Sequence, residues 1–164
     1  MIRKLALVGA VALLTAQGPA AAQGAQRAAP RAVAPAPQPA QQYPIPSAEA
    51  LVIMIRSSLV ALAHANQTGN YSVLNALGSA NFRAANPPAN LAQTFANYRT
   101  NRIDLSPILY LAPQLSYQPA IQDGRLRLTG FFPSQPMRVN FDLSFEPEQG
   151  GWRLFGISVN LANQ

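Results

Sequence analysis

The feature that most constrains the fold is a stretch of nine residues, 137–145, in which apolar and polar side chains alternate strictly. The odd-numbered positions are all apolar: Met137, Val139, Phe141, Leu143 and Phe145. The even-numbered positions are all polar: Arg138, Asn140, Asp142 and Ser144. Successive side chains of a strand point to opposite faces of a sheet, so this pattern predicts a strand with one buried face and one polar face.

The sequence on both sides of this stretch predicts an antiparallel meander. Asp123-Gly124 is a strong signal for a two-residue hairpin, and it separates predicted strands at residues 114–121 and 125–132. A turn at Gly150-Gly151 precedes a last strand at residues 152–161. In that strand the apolar positions change from even to odd around Gly156, which predicts a β-bulge and a bent sheet.

Helical signals precede the strands. Ser47 is a good N-cap for a helix that runs to about Ala65, and a short helix is expected at residues 71–77. Pro87-Pro88 favours the first turn of a third helix, which ends near residues 99–102. We interpret residues 108–111 as a short edge strand. Helices followed by an antiparallel sheet predict an α+β fold, in which N-terminal helices pack on a curved, cone-like meander.

The first 22 residues are typical of a secretory signal peptide. A basic start is followed by ten apolar residues, 5–14, and by Ala20-Ala21-Ala22, which suits cleavage near Ala22. Ten residues are too few for a helix that spans a membrane, which needs ~20. We therefore expect a periplasmic or secreted protein without a stable membrane anchor. An uncleaved segment that tethers a spacer domain is the alternative.

Residues 23–46 are expected to be a disordered linker. They contain six Pro, seven Ala and five Gln and show no periodic apolar face. Such a composition buries too little apolar surface to offset the entropy of folding. The remaining residues, 47–164, have the size of one domain.

Composition argues against several classes of function. Within residues 47–164, eight Arg face six acidic residues, and a scattered net charge of +2 disfavours nucleic-acid binding. The chain has no Cys and one His, so disulfides and a metal site are not expected. No phosphate-binding glycine motif is present, and we expect no cofactor.

The ending "GGWRLFGISVNL", residues 150–161, is similar to the pattern G-x-W-x-[LI]-x-x-[IV]-x-[VL] that closes many nuclear transport factor two-like proteins. With the order of helices and meander, the resemblance covers residues 47–164. It implies the cone-shaped fold shared with ketosteroid isomerase and scytalone dehydratase. It also implies a pocket between the helices and the sheet, and frequent dimers through the outer face of the sheet. Because enzymes, binders and assembly domains all use this fold, the resemblance implies no activity.

Two surfaces are candidates for binding. Aromatic side chains could line the interior of the cone, although ordinary core packing is the alternative: Phe95, Tyr98, Tyr110, Phe132, Phe141 and Trp152. Polar side chains on the outer sheet face could form a dimer contact, although a solvated face is the alternative: Arg127, Arg138, Asn140 and Asp142.

Two functions follow from these candidates. The first is an exported, non-catalytic binding or assembly module, whose partner is a small apolar ligand, an envelope protein or a second copy of the chain. The second is a small cofactor-free lyase or isomerase. It would use His64, the only His, with Asp104 and Tyr98, because Asp104 is the one acid not already placed in a cap, a turn or the polar sheet face.

Overall fold

The computed structural model describes residues 43–163, so the expected signal peptide and residues 23–42 of the expected linker lie outside the described residues. Six helices come first: α1 (Ala48–Thr68), α2 (Ser72–Ala76), α3 (Ala80–Ala85), α4 (Pro88–Thr94), α5 (Ala96–Thr100) and α6 (Pro107–Tyr110). Five strands follow: β1 (Gln114–Leu115), β2 (Ala120–Gln122), β3 (Arg125–Phe132), β4 (Met137–Glu148) and β5 (Gly151–Asn163). This order confirms the α+β class, with helices that lead into a curved antiparallel sheet.

The sheet is a meander with the order β1-β3-β4-β5, and β2 also pairs with β3. All of these pairings are antiparallel. Asp123 and Gly124 connect β2 to β3 with φ angles of 50° and 73°, the left-handed values that a two-residue hairpin requires. The turn between β4 and β5 lies at Gln149 and Gly150, one residue earlier than the sequence predicted.

The bulge expected near Gly156 is present. Ser144 pairs with Gly156 and Phe145 pairs with Leu154, so Phe155 is the extra residue on β5. A Cβ atom at Gly156 would approach the Ser144 hydroxyl oxygen to 2.6 Å, so glycine permits the close approach of the two strands.

One hydrophobic core lies between the helices and one face of the sheet. On β4 the predicted apolar face is confirmed at four of its five positions, since Val139, Phe141, Leu143 and Phe145 are buried, whereas Met137 at the start of the strand is 37% exposed. Leu126, Leu128 and Phe132 of β3 are 0–1% exposed and extend the same face. The helices contribute a matching set of buried residues: Leu51, Ile55, Leu59, Leu62, Leu74, Phe82, Leu91 and Phe95. Each fully buried side chain of this size contributes roughly 1.5–3 kcal/mol, so this face holds the domain together.

Helix α1 is central to that core. Ser47 caps its start by accepting a hydrogen bond from the Ala50 amide at 3.3 Å, and Gly69 ends it with a φ of 75°. Among residues 43–163 it is the one helix long and apolar enough to cross a membrane by length and composition alone. Its apolar residues Leu51, Ile55 and Leu59 are buried in this domain, and a core helix passes the same test.

The predicted edge strand at residues 108–111 is wrong, because Pro107–Tyr110 forms the helical turn α6. Pro107 lies in its first turn, where a missing amide hydrogen costs nothing. At the other end the guanidinium group of Arg56 donates to the carbonyl oxygens of Ile108, Leu109 and Leu111 at 2.6, 2.9 and 2.7 Å. The Arg56 side chain from α1 therefore satisfies the carbonyl groups at the end of α6. In an edge strand, such groups would pair with a neighbouring strand.

Three other boundaries differ from the expectation. The predicted strand at 114–121 is two short strands, β1 and β2, with Pro119 between them. The third predicted helix is interrupted at Phe95, which separates α4 from α5. Helix α3 was not predicted, and it begins where Ser79 accepts a hydrogen bond from the Phe82 amide at 3.1 Å.

The described end of the expected linker contacts the domain. The indole nitrogen of Trp152 donates to the carbonyl oxygen of Pro44 at 3.3 Å. The rings of Tyr43 and Trp152 meet edge to face at 5.8 Å between centroids. The chain is therefore already in contact with β5 several residues before α1 begins.

Candidate functional site

Three of the six aromatic residues expected to line a cone pocket are core residues. Phe95, Phe132 and Phe141 are 4%, 0% and 2% exposed. The rings of Phe132 and Phe141 contact each other, with centroids 5.7 Å apart. Their side chains fill the space between helices and sheet that the pocket hypothesis assigns to a ligand.

The other three lie in different environments. Tyr98 donates its hydroxyl hydrogen to the carbonyl oxygen of Val159 on β5, and burial raises the pKa of this phenol above its usual value. Tyr110 is 71% exposed at the end of α6. Trp152 packs against Tyr43. The structure therefore does not bring the six aromatic residues together around one site.

The three residues of the enzyme hypothesis are only partly brought together. Tyr98 and Asp104 line one recess of the surface, whereas His64 is exposed and is not among the residues that line it. Both oxygens of the Asp104 carboxylate accept hydrogen bonds from Ser106, from its amide at 2.8 Å and from its hydroxyl at 2.9 Å. Asp104 thus holds the turn that leads into α6, and the pairing of His64 with Asp104 is not formed.

The four residues expected at an interface do share one side of the sheet, which we call the outer face. It carries the side chains opposite to the core, including Arg127, Asp142 and Ser158. Arg127 binds Asp142 with two hydrogen bonds, of which the one from Nε to Oδ1 is 3.0 Å. Thr129 donates to the same Oδ1 at 3.2 Å.

This ion pair sets the protonation of both groups. The hydrogen bonds from Arg127 hold the pKa of Asp142 below its usual value, and the carboxylate raises the pKa of Arg127. The pair is partly open to solvent, with side-chain exposures of 58% for Arg127 and 36% for Asp142. Solvent screening therefore limits its contribution to stability, and its main effect is to fix the two side chains on the face.

The other two expected interface residues, Asn140 and Arg138, also contact neighbouring side chains of the outer face. Asn140 donates from its amide nitrogen to the side-chain oxygen of Asn160 on the neighbouring strand at 2.9 Å. The Arg138 guanidinium lies over the ring of Phe131, 5.0 Å from its centroid. The outer face thus carries a hydrogen-bonded pair of asparagine amides and an aromatic ring that is covered by an arginine.

Two adjoining concavities cover much of this face. One, of about 390 Å³, includes Arg125, Phe155 and Ser158 in its lining. The second, of about 360 Å³, includes Tyr117, Asn160 and again Ser158. Asp142 also lines both, so the ion pair lies where the two concavities meet.

Sequence reasoning missed the aromatic residues of the outer face. Strict alternation along β5 would place the odd-numbered Phe155 with Ile157 and Val159 on the core face, but its side chain does not lie there. Its ring lies under the Arg125 guanidinium at 3.7 Å, among the outer-face residues, because the bulge removes Phe155 from the alternation. The change of parity at Gly156 was the available signal. Tyr117, 74% exposed, carries no periodic signal that could have placed it.

Within residues 43–163 no group of three or more His, Asp or Glu side chains could hold a metal ion. No protein-family model, no curated protein and no solved structure matches the chain. The class of the protein is defined by its fold and its site. It is an α+β domain in which helices bury one face of the sheet and the open outer face carries ordered polar and aromatic side chains.

Proposed function

We propose that the chain is an exported, non-catalytic assembly module that binds a second copy of itself through the outer face of its sheet. The observation that carries this proposal is the preformed surface of that face. The Arg127–Asp142 ion pair and the Asn140–Asn160 hydrogen bond hold its side chains in place before any partner arrives. Little side-chain entropy is then lost on binding, which favours association.

A second copy is favoured by the self-complementary charges of this face. It carries Arg125 and Arg127 together with Asp142 and Glu146. In a two-fold symmetric contact the same patch meets itself, so a patch with both signs can place cations opposite anions. A single-sign patch would instead repel its copy.

The shape and composition of the outer face also suit a protein contact. Small polar side chains such as Ser158 and Asn160 are exposed on the edge strand β5, with Phe155 and Tyr117 beside them in the concavities. Aromatic residues that lie in pockets bordered by polar groups are typical anchors of protein interfaces.

The proposed resemblance to the nuclear transport factor two-like superfamily points to the same surface, since dimers through the outer sheet face are frequent there. Export rests on the signal-peptide pattern of residues 1–22. The enzyme alternative has less support, since it needs His64 beside Asp104. A small apolar ligand in the cone would compete for space with Phe132 and Phe141.

Sedimentation velocity over a range of concentrations tests the proposal. We expect the purified chain to form a dimer, and we expect Ser158→Arg to weaken the dimer by tenfold or more, about 1.4 kcal/mol, because it places a bulky charge where the two concavities of the proposed contact adjoin. Gln93→Arg adds the same side chain at an exposed position of α4 and is the control. A monomer at all concentrations, or equal weakening by both variants, would overturn the proposal.

A further inference from the structure

A second site, unrelated to the outer face, lies on the helical side of the domain. It is a recess of about 340 Å³ between the C-terminal half of α1, helix α5 and the segment that follows α5. Apolar and polar side chains both line it, among them Asn66, Arg99, Arg102, Asp104 and Leu105. Its volume lies within the range of small-molecule sites, so the chemistry of its lining decides what it can bind.

The recess contains an arginine that is fixed in position without a carboxylate. One terminal nitrogen of Arg99 donates to the Tyr71 hydroxyl at 2.8 Å and to the Ala92 carbonyl oxygen at 2.9 Å. Its guanidinium carbon also lies 5.5 Å from the centroid of the Tyr71 ring. Tyr71 is 1% exposed, so the arginine is anchored to a rigid group of the core. A guanidinium group carries five N–H donors, and these contacts use only one of its nitrogens.

A second arginine adds positive charge at the same place. Arg102 lines the recess, is exposed, and has a φ of 49°, an unusual backbone conformation for a residue with a side chain. Neither Arg99 nor Arg102 forms an ion pair with a carboxylate in residues 43–163, whereas Arg83, Arg125 and Arg127 all do.

Asn66 contributes a donor that lacks an acceptor. Its side-chain oxygen accepts a hydrogen bond from the Tyr71 hydroxyl at 2.6 Å, which fixes which side of the amide carries the nitrogen. The nitrogen is buried and has no hydrogen-bond partner in the described part of the chain. Such a donor is unfavourable unless an acceptor is supplied. Its accessible area is below 1 Å², so an oxygen bound in the recess would reach it only after a shift of the Asn66 side chain.

The balance of charge selects the class of ligand. Asp104 lies in the lining with the two arginines, so the recess carries one excess positive charge and disfavours a dianion. Ala63, Ile103 and Leu105 give it an apolar part. The planar fork of arginine matches the two oxygens of a carboxylate. We propose that this recess binds a small monocarboxylate, with its carboxylate toward Arg99, Arg102 and Asn66 and its apolar body toward Leu105.

Titration of the ¹⁵N-labelled full chain with straight-chain monocarboxylates of two to eight carbons tests the site. We expect saturable shifts of the Asn66 side-chain amide and of the Arg99 Nε resonance, and weaker or no shifts with the alcohols of the same lengths. Arg102→Gln should weaken binding about tenfold, the effect of losing one charge-assisted contact. Arg153→Gln removes the same charge from an exposed position of β5 and should bind as the unchanged protein does.

Several results would overturn the proposal. They are the absence of saturable shifts with every acid up to about 100 mM, a range that still detects millimolar affinities, and equal binding of acids and alcohols. Tighter binding of inorganic phosphate would contradict the monocarboxylate class. Equal weakening by the two arginine variants would show a general charge effect. Because Arg102 donates no side-chain hydrogen bond within residues 43–163, its substitution leaves the fold intact and the comparison valid.

Discussion

Arg56 is expected to hold α6 in place, and its substitution gives a quantitative test. Its guanidinium group makes three hydrogen bonds of 2.6–2.9 Å to carbonyl oxygens at the end of α6. Hydrogen bonds from a charged group contribute roughly 1.5–3 kcal/mol each, and partial exposure of this site reduces that figure. We expect Arg56→Met, which keeps the apolar stem, to lower the free energy of unfolding by about 3 kcal/mol. For a domain of this size that is a loss of ~10 °C in Tm.

Urea denaturation of the unchanged protein and of Arg56→Met measures the loss in the free energy of unfolding. Hydrogen exchange shows where in the domain the loss occurs. The amide of Leu111, bonded to the Pro107 carbonyl oxygen at 2.9 Å, should lose protection first. Arg153→Met is the matched control and should change stability by less than about 0.5 kcal/mol, as is usual for exposed positions. Equal stability of the two variants, or unchanged exchange at Leu111, would refute the role of Arg56.

Three further predictions concern the sheet. Phe141→Ala should cost about 3–5 kcal/mol in urea denaturation, because it opens a cavity in the core, and a cost under about 1 kcal/mol would contradict the burial of that face. Gly130→Ala should cost about 1–3 kcal/mol, because a Cβ there would overlap the carbonyl oxygen of Gln114, and faster exchange should be confined to β1 and its partner. Asp142, whose folded pKa is lowered, stabilises the fold above its unfolded pKa of about 3.9, and this contribution disappears as pH falls through the lower folded pKa. The difference in Tm between the unchanged protein and Asp142→Asn should therefore be constant from about pH 6 to 8 and shrink below about pH 4, and a difference that persists to about pH 2 would contradict the ion pair.

The parts of the fold that could be predicted are those where a local pattern and the tertiary structure agree. The alternation at residues 137–145 requires one buried face, and Val139 and Phe141 do lie in the core. Asp123-Gly124 adopts the left-handed conformations that its residue types favour. Ser47 caps the start of α1 and Gly69 caps its end, each through a hydrogen bond with a residue three or four positions away.

The parts that could not be predicted depend on residues distant in the chain. Residues 108–111 are apolar, and Pro113 lies two positions beyond them, which fits an edge strand equally well. The helical turn is favoured by hydrogen bonds from Arg56, which lies 52 positions before Ile108 in the sequence. The recess likewise depends on Tyr71, which joins Arg99 to Asn66 by hydrogen bonds. No local spacing predicts such a contact.

The candidate site was predicted in part for the same reason. Arg127, Arg138, Asn140 and Asp142 follow strand periodicity, so their common face could be inferred. Aromatic composition gave no comparable guide to a pocket, because buried aromatic residues are equally typical of a packed core. Tyr110 is the clearest case in which composition misleads, since it was expected to line the pocket but is exposed at the end of α6.

The most direct test of the central claim is the rate of thiol labelling at three consecutive positions of β5. The chain has no Cys, so Ser158→Cys, Val159→Cys and Asn160→Cys each introduce a single reactive group. At low protein concentration we predict fast labelling at 158 and 160 and slow labelling at 159, which is 7% exposed. At high concentration labelling at 158 and 160 should slow as the outer faces meet. Equal rates at all three positions would contradict the two-faced sheet, and rates at 158 and 160 that do not depend on concentration would contradict its use as a contact.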